Sequence, residues 1–357
     1  MKNCIIVTGA AGFIGSNFVL NLANKPNGKA KFVSLDKLTY ASNFENLRPI
    51  LNHKNHKFVK GDINDEKILE VIFNKEKPRT IINFAAESHV DRSIKGPAKF
   101  IQTNIFGTYK LLEQTRKYYK KLKTSEKASF RFLHISTDEV YGSLKKNEKP
   151  FSEKNNYLPN SPYSASKASS DHLVRAWKET YNIPVITTNC SNNYGPYQFP
   201  EKLIPLCIIN AINDKPLPIY GDGKQIRDWL YVQDHCNAIN LVLKKGKIGE
   251  TYNIGGGNEK TNLEVVNLIC EMLDKILPRK NKLSYKKQIT FIKDRPGHDR
   301  RYAINARKIK TKLNWKPKEN FNSGIIKTIQ WYLSNKLWVK NIQNGEYMKW
   351  INKHYKK

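Results

Sequence analysis

The chain has 357 residues, 39% of them hydrophobic, and 62 Lys and Arg against 31 Asp and Glu give a formal net charge of +31. The length suffices for a large α/β domain and a smaller one, whereas no apolar run approaches the ~18 residues of a membrane span and no signal-peptide region precedes the first strand. The positive charge is compatible with a nucleic-acid-binding protein. The basic residues are spread along the whole chain, however, which favours drift in amino-acid composition as the origin of the charge. The charge could also attract an anionic nucleotide substrate by electrostatic steering.

The first predicted element is a buried strand of parallel type over residues 4–7, followed by a glycine-rich loop. Gly9, Gly12 and Gly15 recur at every third residue, and a helix then runs to about residue 24. Glycine allows the tight turn and lets the backbone approach a pyrophosphate, which would bind the free N–H groups at the helix N-terminus. The loop therefore predicts a dinucleotide site.

The second strand, over residues 30–35, ends at Asp36, 21 residues beyond Gly15. A carboxylate there would accept hydrogen bonds from the adenosine ribose and repel a 2′-phosphate, which favours NAD over NADP; a simple turn aspartate is the alternative. A third strand over residues 57–60 leads into residues 61–63, which are well placed to border the adenine.

The strand–helix alternation continues through the middle of the chain. A fourth strand over residues 80–84 precedes small residues at 85–88, where the backbone can lie close to a cofactor. A long helix is predicted over residues 96–121, a strand over residues 132–135, and a further helix with Ser161 as its N-cap. This succession is typical of a doubly wound parallel sheet.

The fifth strand and the helix after it supply acids and bases. Tyr163 and Lys167 are four residues apart and share one helix face, so the ammonium, with an oxidised nicotinamide, would lower the pKa of the phenol. Thr137 offers a hydroxyl that can hold a substrate alcohol against the tyrosine. Asp138 and Glu139 are adjacent carboxyls; they suit proton transfer, with an ordinary turn pair as the alternative.

Beyond residue 200 the pattern changes to short strands mixed with helices. A strand over residues 184–188 is the last predicted element before this part. Beyond residue 200, strands are predicted at 217–220, 229–232 and 250–254, and helices near 201–212, 233–244, 261–276 and 321–335. We therefore predict an α/β protein with a doubly wound parallel sheet of Rossmann type and a smaller mixed α/β C-terminal substrate lobe. The expected domains are residues 1–195, binding NAD, and 196–357, with the option that later segments return to the first domain.

The glycine loop, Thr137, Tyr163 and Lys167 resemble the extended short-chain dehydrogenase/reductase family, whose members retain NAD and act on nucleotide-linked sugars. Longer blocks resemble the dTDP-glucose 4,6-dehydratase branch of that family over nearly the full length. These blocks are residues 85–94, 136–142, 164–172, 189–205, 225–232 and 294–302.

The resemblance implies a dehydration that proceeds through oxidation. Tyr163 would take a hydroxyl proton while NAD takes the hydride from carbon 4, and Glu139 as base and Asp138 as acid would then remove water across carbons 5 and 6. Return of the hydride to carbon 6 would give dTDP-4-dehydro-6-deoxy-D-glucose. An epimerase needs no second acid or base, so the carboxyl pair favours a dehydratase; another nucleotide-sugar dehydratase, an epimerase or a decarboxylase is the alternative.

The catalytic residues expected from the sequence and the resemblance are thus Thr137, Asp138, Glu139, Tyr163 and Lys167. The expected contacts to a tightly bound NAD are Gly9, Gly12, Phe13, Ile14, Gly15, Asp36, Lys37, Leu38, Thr39, Asp62, Ile63, Phe84, Ala85, Ala86, Ser88, Thr103, Tyr163, Lys167 and Asn193. The expected contacts to dTDP-glucose are Ser88, Thr137, Asn192, Lys202, Leu203, Pro218, Ile219, Tyr220, Arg227, Asn262, Asp294, Arg295 and His298.

Other partners follow from the same reasoning. The five cysteines are scattered without metal-ligand spacing, which predicts reduced thiols, no metal site and a cytoplasmic protein. No nucleic-acid or membrane partner is expected. The resemblance implies a homodimer through a four-helix interface made by the helices near residues 97–122 and 162–181.

Overall fold

The structure, a computed structural model, describes residues 4–25 and 30–343 of the chain. Its strands are β1 (Cys4–Thr8), β2 (Lys31–Asp36), β3 (His56–Lys60), β4 (Thr80–Asn83), β5 (Arg131–Thr137), β6 (Val185–Cys190), β7 (Asn192–Tyr194), β8 (Leu217–Tyr220), β9 (Ile226–Tyr231), β10 (Thr251–Ile254), β11 (Glu259–Thr261) and β12 (Ile289–Ile292). Its α-helices are α1 (Phe13–Ala23), α2 (Glu66–Glu76), α3 (Val90–Lys95), α4 (Ala98–Phe100), α5 (Thr108–Lys120), α6 (Thr124–Ser129), α7 (Pro162–Tyr181), α8 (Leu203–Ile212), α9 (Val232–Lys245), α10 (Asn262–Ile276), α11 (Arg307–Leu313), α12 (Phe321–Ser334) and α13 (Lys336–Ile342).

The main sheet has seven parallel strands in the order β10-β6-β5-β4-β1-β2-β3. The chain runs outward from β1 to β3 on one side and returns through β4 on the other, so the strand order reverses between β1 and β4. Ligands of doubly wound sheets bind outside the carboxyl ends of the strands at this reversal. The predicted α/β fold of Rossmann type is confirmed.

Apolar side chains of the strands pack on both faces of the main sheet. Ile6 and Phe132 are fully buried with residues of α2 and α5, whereas their neighbours Val7 and Leu133 are fully buried with residues of α1 and α9. Successive side chains of a strand point to opposite faces, so a strand covered on both sides must be apolar at every position. This requirement explains the continuous apolar runs that mark these strands in the sequence.

The C-terminal half divides between the main sheet and a smaller lobe. β10 lies beside β6, with Ile254 opposite Cys190, so a segment beyond residue 195 completes the main sheet. The remaining elements form a three-stranded sheet, β11-β9-β7, and a two-stranded sheet, β12-β8, which pack with α8, α10 and α12 around a second apolar core. This lobe lies over the carboxyl ends of the main strands, where its residues share a cleft with those of the sheet.

Some helix and strand ends agree with those predicted from the sequence, and others differ. Thr261 caps α10 as a capping box, accepting a hydrogen bond from the Glu264 N–H at 3.2 Å. The single helix predicted over residues 96–121 is instead α4 and α5 joined by a π-helical segment, Ile101–Gly107. The strand predicted at 229–232 begins earlier, at Ile226, and gives way to α9 at Val232. Among the described residues, no helix combines the length and apolar character that crossing a membrane requires.

Candidate active site

A cleft of about 400 Å³ lies at the carboxyl ends of the central strands and is lined by both halves of the molecule. Every site residue predicted from the sequence lines it except Leu38, Asp138 and Asp294. Leu38 is set back in the loop after β2, where its N–H bonds Asp36, and Asp294 hydrogen-bonds His298, which does line the cleft. Asp138 is 1% exposed and directly precedes Glu139, which does line the cleft.

The glycine loop after β1 has no room for side chains. Gly9 has φ +64°, and a Cβ there would lie 2.6 Å from the Ala85 backbone nitrogen. A Cβ on Gly15 would lie 2.2 Å from the Gly9 carbonyl oxygen. Gly12 is the N-cap of α1 and has no side chain to occupy the free N–H groups of the first turn. The loop therefore fits the close approach of a pyrophosphate to a helix N-terminus.

Two carboxylates lie where the adenosine half of a dinucleotide would bind. Asp36 accepts hydrogen bonds from the N–H groups of Ala11 and Leu38, both at 2.8 Å. Burial raises the pKa of Asp36, and these backbone donors oppose the shift. Burial would also raise the pKa of Asp62, but hydrogen bonds, first among them one from Lys37, lower it. Ionised carboxylates at this end suit ribose hydroxyls and disfavour an added phosphate, as NAD requires.

The polar cluster begins where β5 ends. Thr137 is the last residue of the strand, and Asp138–Tyr141 form a 3₁₀ turn directly after it. The Thr137 hydroxyl donates to Asp138 Oδ1 at 3.3 Å and accepts from the Glu139 N–H at 3.3 Å. The turn thus gives the two neighbouring carboxyls different surroundings: Glu139 lines the cleft, whereas Asp138 is almost fully buried beside it.

The electrostatic surroundings of the two carboxyl groups differ. Burial raises the pKa of Asp138 well above its usual value, and the neighbouring Glu139 raises it further. Burial also raises the pKa of Glu139, but the guanidinium groups of Arg295 and Arg227 oppose that shift. The arrangement therefore raises the pKa of Asp138 more than that of Glu139, which is the order that a paired acid and base needs.

Tyr163 and Lys167 are in the first turns of α7, close to the end of β5. Ser161 caps this helix by accepting the Ser164 N–H, as the sequence predicted for the N-cap. Lys167 Nζ donates to the Ile135 carbonyl at 2.9 Å. Burial raises the pKa of Tyr163 well above its usual value, and Glu139 raises it further. The expected lowering by Lys167 is therefore outweighed in the chain alone, because burial penalises the phenolate.

The smaller lobe adds cations and polar groups to the cleft. Lys202 Nζ donates to the Ser88 carbonyl at 3.0 Å, which links the lobe to the segment after β4. Arg227 Nη2 donates to the Asp299 carbonyl at 3.0 Å, and its guanidinium carbon lies 4.3 Å from the centre of the Tyr302 ring. Arginine held in this way presents its remaining N–H groups to an anionic ligand. Among the described residues, no cluster of His, Cys, Asp and Glu side chains is arranged to hold a metal ion.

Sequence reasoning missed several titratable residues that line the cleft, namely Glu87, His89, Asp91, Glu201 and Tyr302. All five lie inside the sequence blocks that carry the family resemblance. The available signal for these residues was a polar side chain within a partly buried segment. Their hydrogen-bond partners are distant in sequence, so local patterns do not reveal them. Glu201, for example, accepts a hydrogen bond at 3.0 Å from Arg92, which lies 109 positions earlier in the sequence.

The fold and the site together define a protein of the extended short-chain dehydrogenase/reductase class. A family model described as GDP-mannose 4,6 dehydratase matches residues 6–328. The chain is 57% identical to dTDP-glucose 4,6-dehydratase 1 of Escherichia coli K12, over 98% of both chains.

Two solved structures are similar over 95% of this chain and 99% of theirs, each with a TM-score of 0.84. They are dTDP-glucose 4,6-dehydratases, one from Bacillus anthracis in complex with NAD at 48% identity and one from Streptomyces venezuelae with NAD and dTDP bound at 40% identity. The chain therefore belongs to the GDP-mannose 4,6 dehydratase family and, within it, to the dTDP-glucose 4,6-dehydratases. The resemblance inferred from the sequence is confirmed.

Replacement of Gly15 by alanine should abolish the retention of NAD, because the new Cβ would lie 2.2 Å from the Gly9 carbonyl oxygen and displace the loop. The NAD released from the purified, denatured protein measures the effect. Gly96→Ala is the matched control, since a Cβ there meets no atom closer than 3.9 Å. Equal NAD content in both variants would contradict the assignment of the loop.

Proposed function

We propose that this chain removes water from dTDP-glucose to give dTDP-4-dehydro-6-deoxy-D-glucose, as an NAD-dependent hydro-lyase. The observation that carries the proposal is the pair of carboxyls, Asp138 and Glu139, with different electrostatic surroundings beside Tyr163. The names of the curated relative and the two solved structures support the same reaction and the same nucleotide.

The first chemical task is to oxidise carbon 4. The glycine loop and Asp36 would hold NAD, which when bound would supply the hydride acceptor for this oxidation and the hydride donor for the later reduction at carbon 6. Tyr163 removes the proton of the carbon 4 hydroxyl, and Thr137 holds that hydroxyl against the phenol. The ammonium of Lys167, one helical turn further along α7, adds positive charge near the phenolate.

The second task is to eliminate water. A ketone at carbon 4 makes the proton on carbon 5 acidic, and Glu139 removes it. Asp138 donates its proton to the hydroxyl that leaves carbon 6. The raised pKa of Asp138 supports this role, because the acid must still carry its proton at neutral pH.

Binding of the nucleotide is the third task, and we assign it to the smaller lobe. Arg227, Arg295 and Lys202 provide cations for the diphosphate, which guanidinium groups bind through two oxygens at once. Pro218 and Tyr220 at β8 line the part of the cleft assigned to the thymine.

Purified protein incubated with dTDP-glucose should form a 4-keto-6-deoxy product without added NAD or NADPH. Parallel incubations with UDP-, GDP- and CDP-glucose test the nucleotide, and turnover should be fastest with the dTDP sugar. Mass spectrometry of the product decides, since loss of water lowers the mass whereas epimerisation leaves it unchanged. A product of unchanged mass would contradict the dehydratase assignment.

The variant Glu139→Gln should still oxidise carbon 4 but fail to remove the carbon 5 proton. On mixing with dTDP-glucose, the absorbance of reduced nicotinamide should rise and persist, while product formation falls by about 10²–10⁴-fold, the usual contribution of a general base. Tyr163→Phe is the matched control, because loss of the first base should abolish the absorbance change itself. Product formation by Glu139→Gln at the wild-type rate would remove Glu139 from the role of base.

We also propose a homodimer that pairs through α5, α7 and the π-helical segment before α5. This surface exposes large apolar side chains: Ile101 is 43% exposed, Phe106 49%, Tyr109 42% and Tyr181 42%. An exposed apolar patch of this kind supports an interaction surface, because burying it in a second copy removes it from water. The family resemblance supports the same helices.

The variant Phe106→Glu should be monomeric, because a charge would have to be buried at the centre of this surface. Sedimentation velocity measures the mass in solution. Phe291→Glu is the matched control, since Phe291 is 53% exposed on β12 of the smaller lobe. Dissociation by the control alone, or by neither variant, would contradict the proposed interface.

A cytoplasmic location completes the proposal. All five cysteines lie within the described residues, are buried and form no disulfide. Reduced thiols are typical of a reducing compartment.

A further inference from the structure

The segment that follows β4 ties the two halves of the cleft together. The carbonyl of Ser88 in this segment accepts a hydrogen bond from the Lys202 ammonium at 3.0 Å, and the guanidinium of Arg92 donates one to the Glu201 carboxylate at 3.0 Å. Between them, at the start of α3, lies Asp91, which is 7% exposed and lines the cleft. None of the catalytic steps described above uses Asp91.

Asp91 holds two side chains from separate parts of the smaller lobe. Its Oδ1 accepts a hydrogen bond from Arg295 Nη1 at 2.9 Å, and its Oδ2 accepts one from the Tyr220 hydroxyl at 3.2 Å. Tyr220 is the last residue of β8, and Arg295 lies in the loop after β12. Both line the cleft, and both are residues to which we assign nucleotide binding.

The contact to Asp91 uses one nitrogen of the Arg295 guanidinium. A guanidinium carries five N–H donors, and Asp91 accepts from Nη1. The Nε donor of Arg295 is buried and has no hydrogen-bond partner among the described residues. A fixed arginine with unused donors is preorganised for a diphosphate, because the loss of side-chain freedom precedes binding.

We propose that Asp91 is a positioning residue for the nucleotide diphosphate, which acts by fixing Arg295 and Tyr220 at the cleft; this inference rests on the proposed function. It assigns to the NAD-binding half of the molecule a part in binding the other ligand. The opposite possibility has a clear signature. If Asp91 instead competed with the diphosphate for Arg295, its removal would strengthen nucleotide binding.

The variant Asp91→Asn keeps the size of the side chain and removes its charge. We expect the KM for dTDP-glucose to rise about tenfold and kcat to change by less than about threefold, since a tenfold change in binding corresponds to one positioned hydrogen bond to a charged group. The dissociation constant of dTDP, measured by calorimetry, should rise in parallel, and the NAD content should stay that of the wild type. Asp91→Glu, which restores the charge, should recover part of the affinity.

A double-mutant cycle separates positioning from a general loss of structure. If Asp91 acts through Arg295, then Asp91→Asn in an Arg295→Met background should change dTDP binding by less than about threefold, because the partner is already absent. Asp222→Asn is the matched control. This substitution removes a carboxylate that pairs with Arg300 at 3.0 Å in the smaller lobe. Both side chains are about half exposed and neither lines the cleft, so KM should be unchanged.

Three results would overturn the inference. The first is tighter dTDP binding by Asp91→Asn, and the second is a fall in kcat with KM unchanged. The third is that Asp91→Asn weakens dTDP binding by the same factor whether or not Arg295 has been replaced by methionine. If Asp91→Asn does not fold, Tyr220→Phe removes one of the two hydrogen bonds, and an unchanged affinity for dTDP in that variant counts against the inference. Calorimetry with dTDP requires no turnover. A wild-type protein that binds dTDP without converting dTDP-glucose would therefore refute the proposed reaction and still decide the role of Asp91.

Discussion

The organisation of the site depends on the cost of burying two adjacent carboxyl groups at the end of β5. Moving an unpaired carboxylate out of water is unfavourable, so such a group is protonated, paired or surrounded by cations. The chain treats the two groups differently. Asp138 is almost fully enclosed, which raises its pKa well above the usual value, whereas Glu139 lies at the cleft, where Arg295 and Arg227 oppose the rise of its pKa. We assign the diphosphate to the same cations, and this assignment would couple nucleotide binding to the ionisation of Glu139.

The carboxyl groups belong to the sheet-bearing half of the molecule and the two arginines to the smaller lobe, so the cleft needs both parts. The parallel sheet fixes the backbone of β1, β4 and β5 at one edge, and side chains from these strands hold one another: the Thr8 hydroxyl, for example, donates to Asn83 at 2.6 Å. The lobe supplies side chains that reach over this edge. The segment after β4 holds several of them in place, because it contacts Lys202, Arg295 and Glu201. The cleft is thus organised by contacts between residues far apart in sequence.

The sequence predicted what local rules control. Apolar runs marked the strands, the glycine spacing marked the loop before α1, and the Ser161 cap marked the start of α7. It did not predict the π-helical segment Ile101–Gly107, because the apolar spacing there is compatible with an ordinary helix. Nor did it identify Asp91, whose partners lie 129 and 204 positions away. Only packing brings such residues together.

The protonation of Tyr163 shows why motif reasoning about one pair of residues was insufficient. The sequence suggested that Lys167, together with an oxidised nicotinamide, lowers the pKa of the phenol; in the chain alone, burial and the nearby Glu139 raise it. Burial lowers the pKa of Lys167 as well, so desolvation disfavours the charged forms of both groups. A phenol in this position becomes a base only where further positive charge is placed beside it. An oxidised nicotinamide carries such a charge and a reduced one does not, so the proton removal that we propose for Tyr163 would be favoured only when the cofactor can accept a hydride.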